Sequence, residues 1–196
     1  MNYLGHAYLS YNVPQILVGN MISDFVKGSA RFGYTANIQS GITLHRDIDN
    51  YTDMHPATRE AKEFFRKEYR LYSAPLVDVI YDHFLAADTN TFPGDSLHPF
   101  SLSVYDTLEQ NAIHLPPRFS FMLTYMKHEN WLYNYKTLQG INKSLRGLVH
   151  RSTYMVDHQP AFSILQENYS VLQELYTLFI ADVKSFAKNR LEQLMP

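Results

Sequence analysis

The stretch Gly41-Ile42-Thr43-Leu44-His45-Arg46-Asp47-Ile48-Asp49-Asn50-Tyr51-Thr52-Asp53-Met54-His55-Pro56 sets apolar and polar residues at helical spacing. His45, Asp49 and Asp53 fall at successive i, i+4 intervals, so a helix through Asp53 lines them along one face. Ile38, Gly41, Ile42 and Ile48 lie near that face, which puts the acid–base row among buried neighbours. A buried row of this kind is costly unless its members are paired or hold a cation. An imidazole and a carboxylate one turn apart can share a divalent ion. The string therefore speaks for a helix and for a functional site at once.

Helical periodicity continues on both sides of it, and strand signals are weak. Asn12 is placed to cap a helix that opens at Pro14 and runs through Ile16, Leu17, Met21 and Phe25, with Gly28 at its end. The central helix spans about 36–51. A third opens at Pro56, with Asp53 as its cap, and is amphipathic: Ala61, Phe64 and Phe65 against Arg59, Lys62 and Arg66. A fourth follows Pro75 and carries Asp82 and His83. Residues 88–98 read as a loop. Further helices open at Pro99, at Pro116-Pro117 (reaching Trp131), at about Leu138, and at Pro160, the last running almost to the C-terminus. No repeat, low-complexity tract or long linker divides the chain. The expected fold is all-α, a single-domain helical bundle over 1–196.

Composition narrows the chemistry. The 196 residues include no cysteine, which excludes disulfides, thiolate catalysis and zinc–thiolate sites. A metal site here must use His, Asp, Glu, amide or water ligands, a set that suits Mn, Fe, Mg or a catalytic Zn. Net charge is −2, so no global positive field draws in nucleic acid. Aromatics reach 14%, with 15 tyrosines, which suits a core in which rings are buried and hydroxyls paired. Met1-Asn2-Tyr3-Leu4-Gly5-His6 lacks the basic start of a signal peptide, and no run approaches the roughly 18 apolar residues of a membrane span. A cytoplasmic protein without membrane association is expected.

His6, Asp24, the pair His45 and Asp49, and the doublet Asp82-His83 each interrupt an apolar helical stretch, and Asn20 and Asp24 are again i, i+4. One histidine on an apolar face is most often a satisfied core residue, and one aspartate near a helix end is most often a cap. Four apolar stretches that each present His or Asp are harder to account for without a metal. His98, His114, His128, His150 and His158 stand near helix ends or in polar surroundings and read as surface residues. A cation held by imidazoles and carboxylates lowers the pKa of bound water and neutralises phosphate oxygens, the chemistry of phosphoester hydrolysis. Lys27, Arg31 and Arg46 lie close in sequence and can contact phosphate, Arg46 in bidentate fashion. No phosphate-binding glycine loop and no Gly-x-Ser-x-Gly elbow is present.

Taken together, Asn2-Tyr-Leu-Gly-His6-Ala-Tyr-Leu9, Gly19-Asn20-Met-Ile-Ser-Asp24-Phe-Val-Lys27-Gly28, Gly41-Ile-Thr-Leu-His45-Arg46-Asp-Ile-Asp49 and Asp82-His83-Phe84-Leu85 resemble the motifs of the acyl carrier protein phosphodiesterases. Pro117-Arg118-Phe119 and Trp131-Leu132 are also similar. The resemblance implies manganese-dependent hydrolysis of holo-acyl carrier protein to 4'-phosphopantetheine and the apo carrier, by attack of metal-activated water on phosphorus. It further implies a divergent kinship with the all-helical HD-type metal phosphohydrolases. Two departures stand out: Gly5 where alanine is expected, and Asp82-His83 in place of the usual His-Asp order.

On this resemblance, Asp24, His45, Asp49, Asp82 and His83 are the expected metal ligands. Arg46 and Lys27 are expected to stabilise phosphoryl charge, with His6 as an additional ligand, orienter or proton donor to the leaving serine. The cofactor is expected to be Mn, with Fe, Mg or Zn as alternatives. The partner implied is holo-acyl carrier protein, which is typically acidic. Lys143, Arg146 and Arg151 form the first candidate docking cluster, and Lys184, Lys188 and Arg190 the second. The rival readings are a metal phosphohydrolase acting on a nucleotide or another small phosphodiester, and a carrier-binding module without turnover.

Overall fold

The computed structural model describes residues 1–195, and among them there are eleven α-helices and no strand. The helices are α1 (Tyr3–Tyr8), α2 (Pro14–Ile22), α3 (Ala36–Met54), α4 (Pro56–Tyr69), α5 (Ser73–Ala87), α6 (Leu97–Gln110), α7 (Pro117–His128), α8 (Trp131–Asn134), α9 (Leu138–Arg151), α10 (Gln159–Glu167) and α11 (Tyr169–Leu194). They form a single all-α domain. No described helix is long and apolar enough to cross a membrane.

Burial follows the apolar pattern of each helix. In α5 nearly every residue from Leu76 to Ala86 is enclosed, so this helix forms the centre of the bundle. On α11 a stripe of Leu172, Tyr176, Phe179, Val183, Ala187 and Leu191 is buried against α3 and α4. The face of α3 anticipated from its spacing is the buried one: Ile38, Gly41, Ile42, His45 and Ile48 all point inward.

The closest helix pair is α2 with α3. A Cβ on Gly19 would lie 2.1 Å from the Ile38 carbonyl oxygen, and one on Gly41 would lie 2.3 Å from that of Ile16. Only paired glycines let the two backbones come this close. The crossing matters because it sets the C-terminal turn of α2 directly beside His45.

Several helix boundaries differ from the expectation. The helix opened by Pro14 stops at Ile22 and continues as a 3₁₀ turn, Ser23–Phe25. Asn12 does not cap it; Asn12 lies in the left-handed region at φ 59° and Val13 holds the cap position. Asp53 does not cap α4 either. That role belongs to His55, whose Nδ1 accepts from the Ala57 amide at 3.2 Å, while Asp53 lies inside α3 and pairs with Lys62 at 3.2 Å. The Pro116-Pro117 helix ends at His128, where Asn130, at φ 45°, breaks the chain before α8. The final helix is divided at Asn168 into α10 and α11.

Candidate metal centre

Three helices bring the site together. His6 comes from α1, Asn20 from the last turn of α2, and His45 and Asp49 from α3. Asp24 reaches in from the 3₁₀ turn that follows α2. The His6 and His45 rings stack with centroids 3.9 Å apart and planes inclined by 17°.

Asn20 fixes both rings. Its side-chain nitrogen donates to the His6 carbonyl at 2.8 Å and to Ser10 Oγ at 3.0 Å, which leaves Oδ1 to accept from His6 Nδ1 at 2.9 Å. Its main-chain carbonyl, one of the last in α2 and so without a full intrahelical partner, accepts from His45 Nδ1 at 2.8 Å. With both Nδ1 atoms donating, both Nε2 atoms turn toward the cleft. Asp49 meets them there: Oδ1 lies 3.1 Å from His6 Nε2 and Oδ2 lies 3.1 Å from His45 Nε2. Asp24 Oδ1 lies 3.3 Å from the same His45 atom.

Ligand atoms of His6, His45 and Asp49 all fall within 4.8 Å of one another, a group suited to a metal ion. A neutral imidazole nitrogen facing a carboxylate needs either a proton or a cation between them. In the absence of a metal His45 takes the proton, and His6 Nε2 faces the Asp49 carboxylate with its lone pair. Burial works against its charge, but hydrogen bonds to Asp24 and Asp49 outweigh burial and raise the imidazole to about 9. His6 goes the other way: burial first, then the adjacent His45, lowers it to about 4. Burial works to raise Asp49, and the two imidazoles with the Met1 ammonium overcome it, holding the carboxyl well below its ordinary range. Asp24 is lowered chiefly by its hydrogen bond to His45. A buried imidazole pair, each with its far nitrogen anchored, facing shared carboxylates is a donor set for a borderline-to-hard divalent ion.

The remaining expected residues are placed elsewhere. Asp82 is fully enclosed and caps α1 from across the bundle, accepting from the amides of Asn2, Leu4 and Gly5 at 3.2, 2.7 and 3.0 Å. Burial pushes this carboxyl up to about 7, against the pull of the Met1 ammonium and the three amides. Gly5 belongs to the same arrangement, since a Cβ there would lie 3.0 Å from Asp82 Oδ1 and closer still to the Met1 side chain. His83 donates through Nδ1 to the Tyr135 carbonyl at 2.7 Å, and its Nε2 pairs with the Tyr169 hydroxyl at 2.9 Å. Both its nitrogens are thus engaged away from the cluster. Arg46 is exposed and donates to the Val26 carbonyl at 3.1 Å, and Lys27 is exposed. Neither lines the cleft above the imidazoles.

That cleft, of about 230 Å³, is lined by residues the sequence did not assign to it: Met1, Asp78 and Arg151. The Met1 amino group donates to Asp78 at 2.8 Å and lies 3.9 Å from Asp49. Asp78 carried a signal, one turn before Asp82 on the same apolar helix. Arg151, at the end of α9, carried none that distinguished it from a docking-surface cation.

The family model described as acyl carrier protein phosphodiesterase matches residues 1–183. A Yersinia pestis protein of that name is 30% identical over 97% of this chain and 99% of its own length. A Photorhabdus laumondii protein of the same name is 29% identical over 97% and 96%, and one from Salmonella dublin is 32% identical over 91% and 93%. No solved structure matches the chain significantly.

Proposed function

The chain belongs to the acyl carrier protein phosphodiesterase family, and we propose that it removes 4'-phosphopantetheine from holo-acyl carrier protein by hydrolysing the phosphodiester to the carrier serine. The observation that carries this proposal is the convergence of His6 Nε2, His45 Nε2 and the Asp49 carboxylate on one cleft. His6, His45 and Asp49 would hold a divalent cation, with Asp24 completing the donor set, and manganese is the proposed ion. When bound, such an ion supplies Lewis acidity toward a phosphoryl oxygen and makes water acidic enough to act as a nucleophile near neutral pH.

The chain's own groups do the positioning. Asn20 holds both rings in the tautomer that presents Nε2. The ionised Asp49 and Asp24 give the site negative charge to bind a cation ahead of substrate. Arg151, on the cleft wall, is the side chain whose charge can offset that of the diester. Asp82 and His83 serve the scaffold in this proposal, and Arg46 holds the turn at Val26. An all-helical bundle with a His/Asp cluster supports kinship with the HD-type phosphohydrolases, although here the doublet on α5 stands outside the cluster.

Mass spectrometry of holo-carrier incubated with the protein and manganese tests the function. Loss of the phosphopantetheine mass, abolished by His45→Ala, is expected. If the carrier stays intact with manganese, iron, magnesium and zinc while a small diester such as bis(p-nitrophenyl) phosphate is cleaved, the substrate belongs to the small-molecule class instead.

A further inference from the structure

A second cavity, of about 290 Å³, opens next to the metal cleft, and Asn2, Tyr3 and Arg151 line both. It follows α9 toward Trp131 and Asn134 of α8. Its wall is mixed. Trp131 and Tyr3 offer ring surface, Asn134 and Ser144 offer amide and hydroxyl groups, and Lys143 and Arg146 outnumber the one lining carboxylate, Glu129. Arg151 stands at the junction with the cleft, where it has no carboxylate partner among the described residues.

Gly147, in the middle of α9, lines the same cavity. A glycine inside a helix weakens it relative to alanine, so it calls for a reason. Packing supplies none, because a Cβ at Gly147 would meet only Arg151 Nη1, at 3.4 Å. The contrast on the same helix is Gly140, where a Cβ would lie 1.9 Å from the Asn134 carbonyl oxygen. Gly140 is required by its neighbour, whereas Gly147 keeps a space open beside a guanidinium.

We propose that this groove receives the prosthetic arm of the carrier, with Arg151 gripping the phosphate at the junction and Gly147 leaving room for the chain. The inference rests on the phosphodiesterase activity proposed above. The chemistry fits an elongated neutral chain bearing amides and ending in a phosphate: ring faces for the methylenes, Asn134 and Ser144 for the amides, and an unpaired arginine for the anion.

Gly147→Leu in the full chain fills the groove with a residue that favours helix. Three readouts on the manganese-loaded protein decide: calorimetric titration with 4'-phosphopantetheine, kcat/KM on holo-carrier, and turnover of the armless bis(p-nitrophenyl) phosphate. The variant is expected to keep its Tm and its manganese content, and to lose less activity on the armless diester than on holo-carrier, since a Cβ at this position already lies 3.4 Å from Arg151 Nη1. Its affinity for 4'-phosphopantetheine and its kcat/KM on holo-carrier are expected to fall by about tenfold or more. Binding of 4'-phosphopantetheine unchanged by Gly147→Leu, or undetectable in the wild type, overturns the groove assignment. Hydrolysis of holo-carrier by wild type and variant alike overturns the groove while leaving the activity standing. Binding that is lost in the variant, with no hydrolysis by the wild type, keeps the groove and overturns the activity. If Gly147→Leu does not fold, Ser144→Trp fills the same space and is judged by the same three readouts.

Discussion

In His6 and His45 the Nδ1 atoms both depend on Asn20, one on its side-chain oxygen and the other on its main-chain oxygen. Ring orientation of this kind governs metal affinity, so Asn20→Ala is expected to weaken manganese binding by about 10–100-fold, measured by competition with a chelator. Unchanged affinity would show that the rings do not need this support. His45 also sets a pH dependence. Its folded-state value of about 9 lies above the ordinary histidine value near 6.5, so the folded state holds this proton more tightly. The stability it contributes is complete below about pH 6.5 and is lost as the pH rises through about 9. Metal-free protein should therefore lose stability across that window, and His45→Gln should flatten the loss in chemical denaturation series; equal slopes for the two proteins would contradict the ion pair. His45 was legible because Asp49 follows it by one helical turn. The role of His83 was not legible: its partners, Tyr135 and Tyr169, lie 52 and 86 positions away, and nothing local marks either contact.

The six-residue α1 is too short to stand alone in water, so its survival depends on tertiary support. Asp82 supplies it by taking three N–H groups at the N-terminal end, and the Leu4 and Ala7 side chains bury against the bundle. Asp82→Ala strands the buried Leu4 and Gly5 amides and is expected to cost about 1–3 kcal/mol, read as a fall in the denaturation midpoint. On the proposal that Asp82 is a cap rather than a ligand, the folded fraction should still bind divalent metal; loss of metal without loss of stability would reverse that assignment. The sequence marked Asp82 as a polar residue out of place on an apolar helix, which is correct. Its use could not be read, because the amides it serves belong to a different helix, 77–80 positions earlier. The helix pattern itself was readable wherever proline opened an element. It failed where ends were decided by non-glycine residues in the left-handed region, such as Asn130, or by a break with no Pro or Gly, as at Asn168.

Across the whole molecule the two expected basic clusters differ. Arg190 is tied to Asp47 at 2.6 Å, whereas Lys143 and Arg146 rim the groove that adjoins the cleft. An acidic carrier guided by that rim should show a KM for holo-carrier that rises with salt. Lys143→Glu with Arg146→Glu should raise KM by about tenfold at low ionic strength with kcat little changed. A KM indifferent to both salt and charge reversal would place docking elsewhere. The all-α class was legible from periodicity and the absence of strand signals. The site was only half legible, because its cleft is closed by Met1, Asp78 and Arg151, which come together only when α1, α5 and the end of α9 pack. Elemental analysis of the purified protein after dialysis, compared across His6→Ala, His45→Ala and His83→Ala, bears on the metal centre without relying on turnover. Stoichiometric divalent metal is expected in the wild type and in His83→Ala, and its loss is expected in His6→Ala and His45→Ala. Metal retained in His45→Ala, or lost in His83→Ala alone, would show that the ion is not held by the stacked imidazoles.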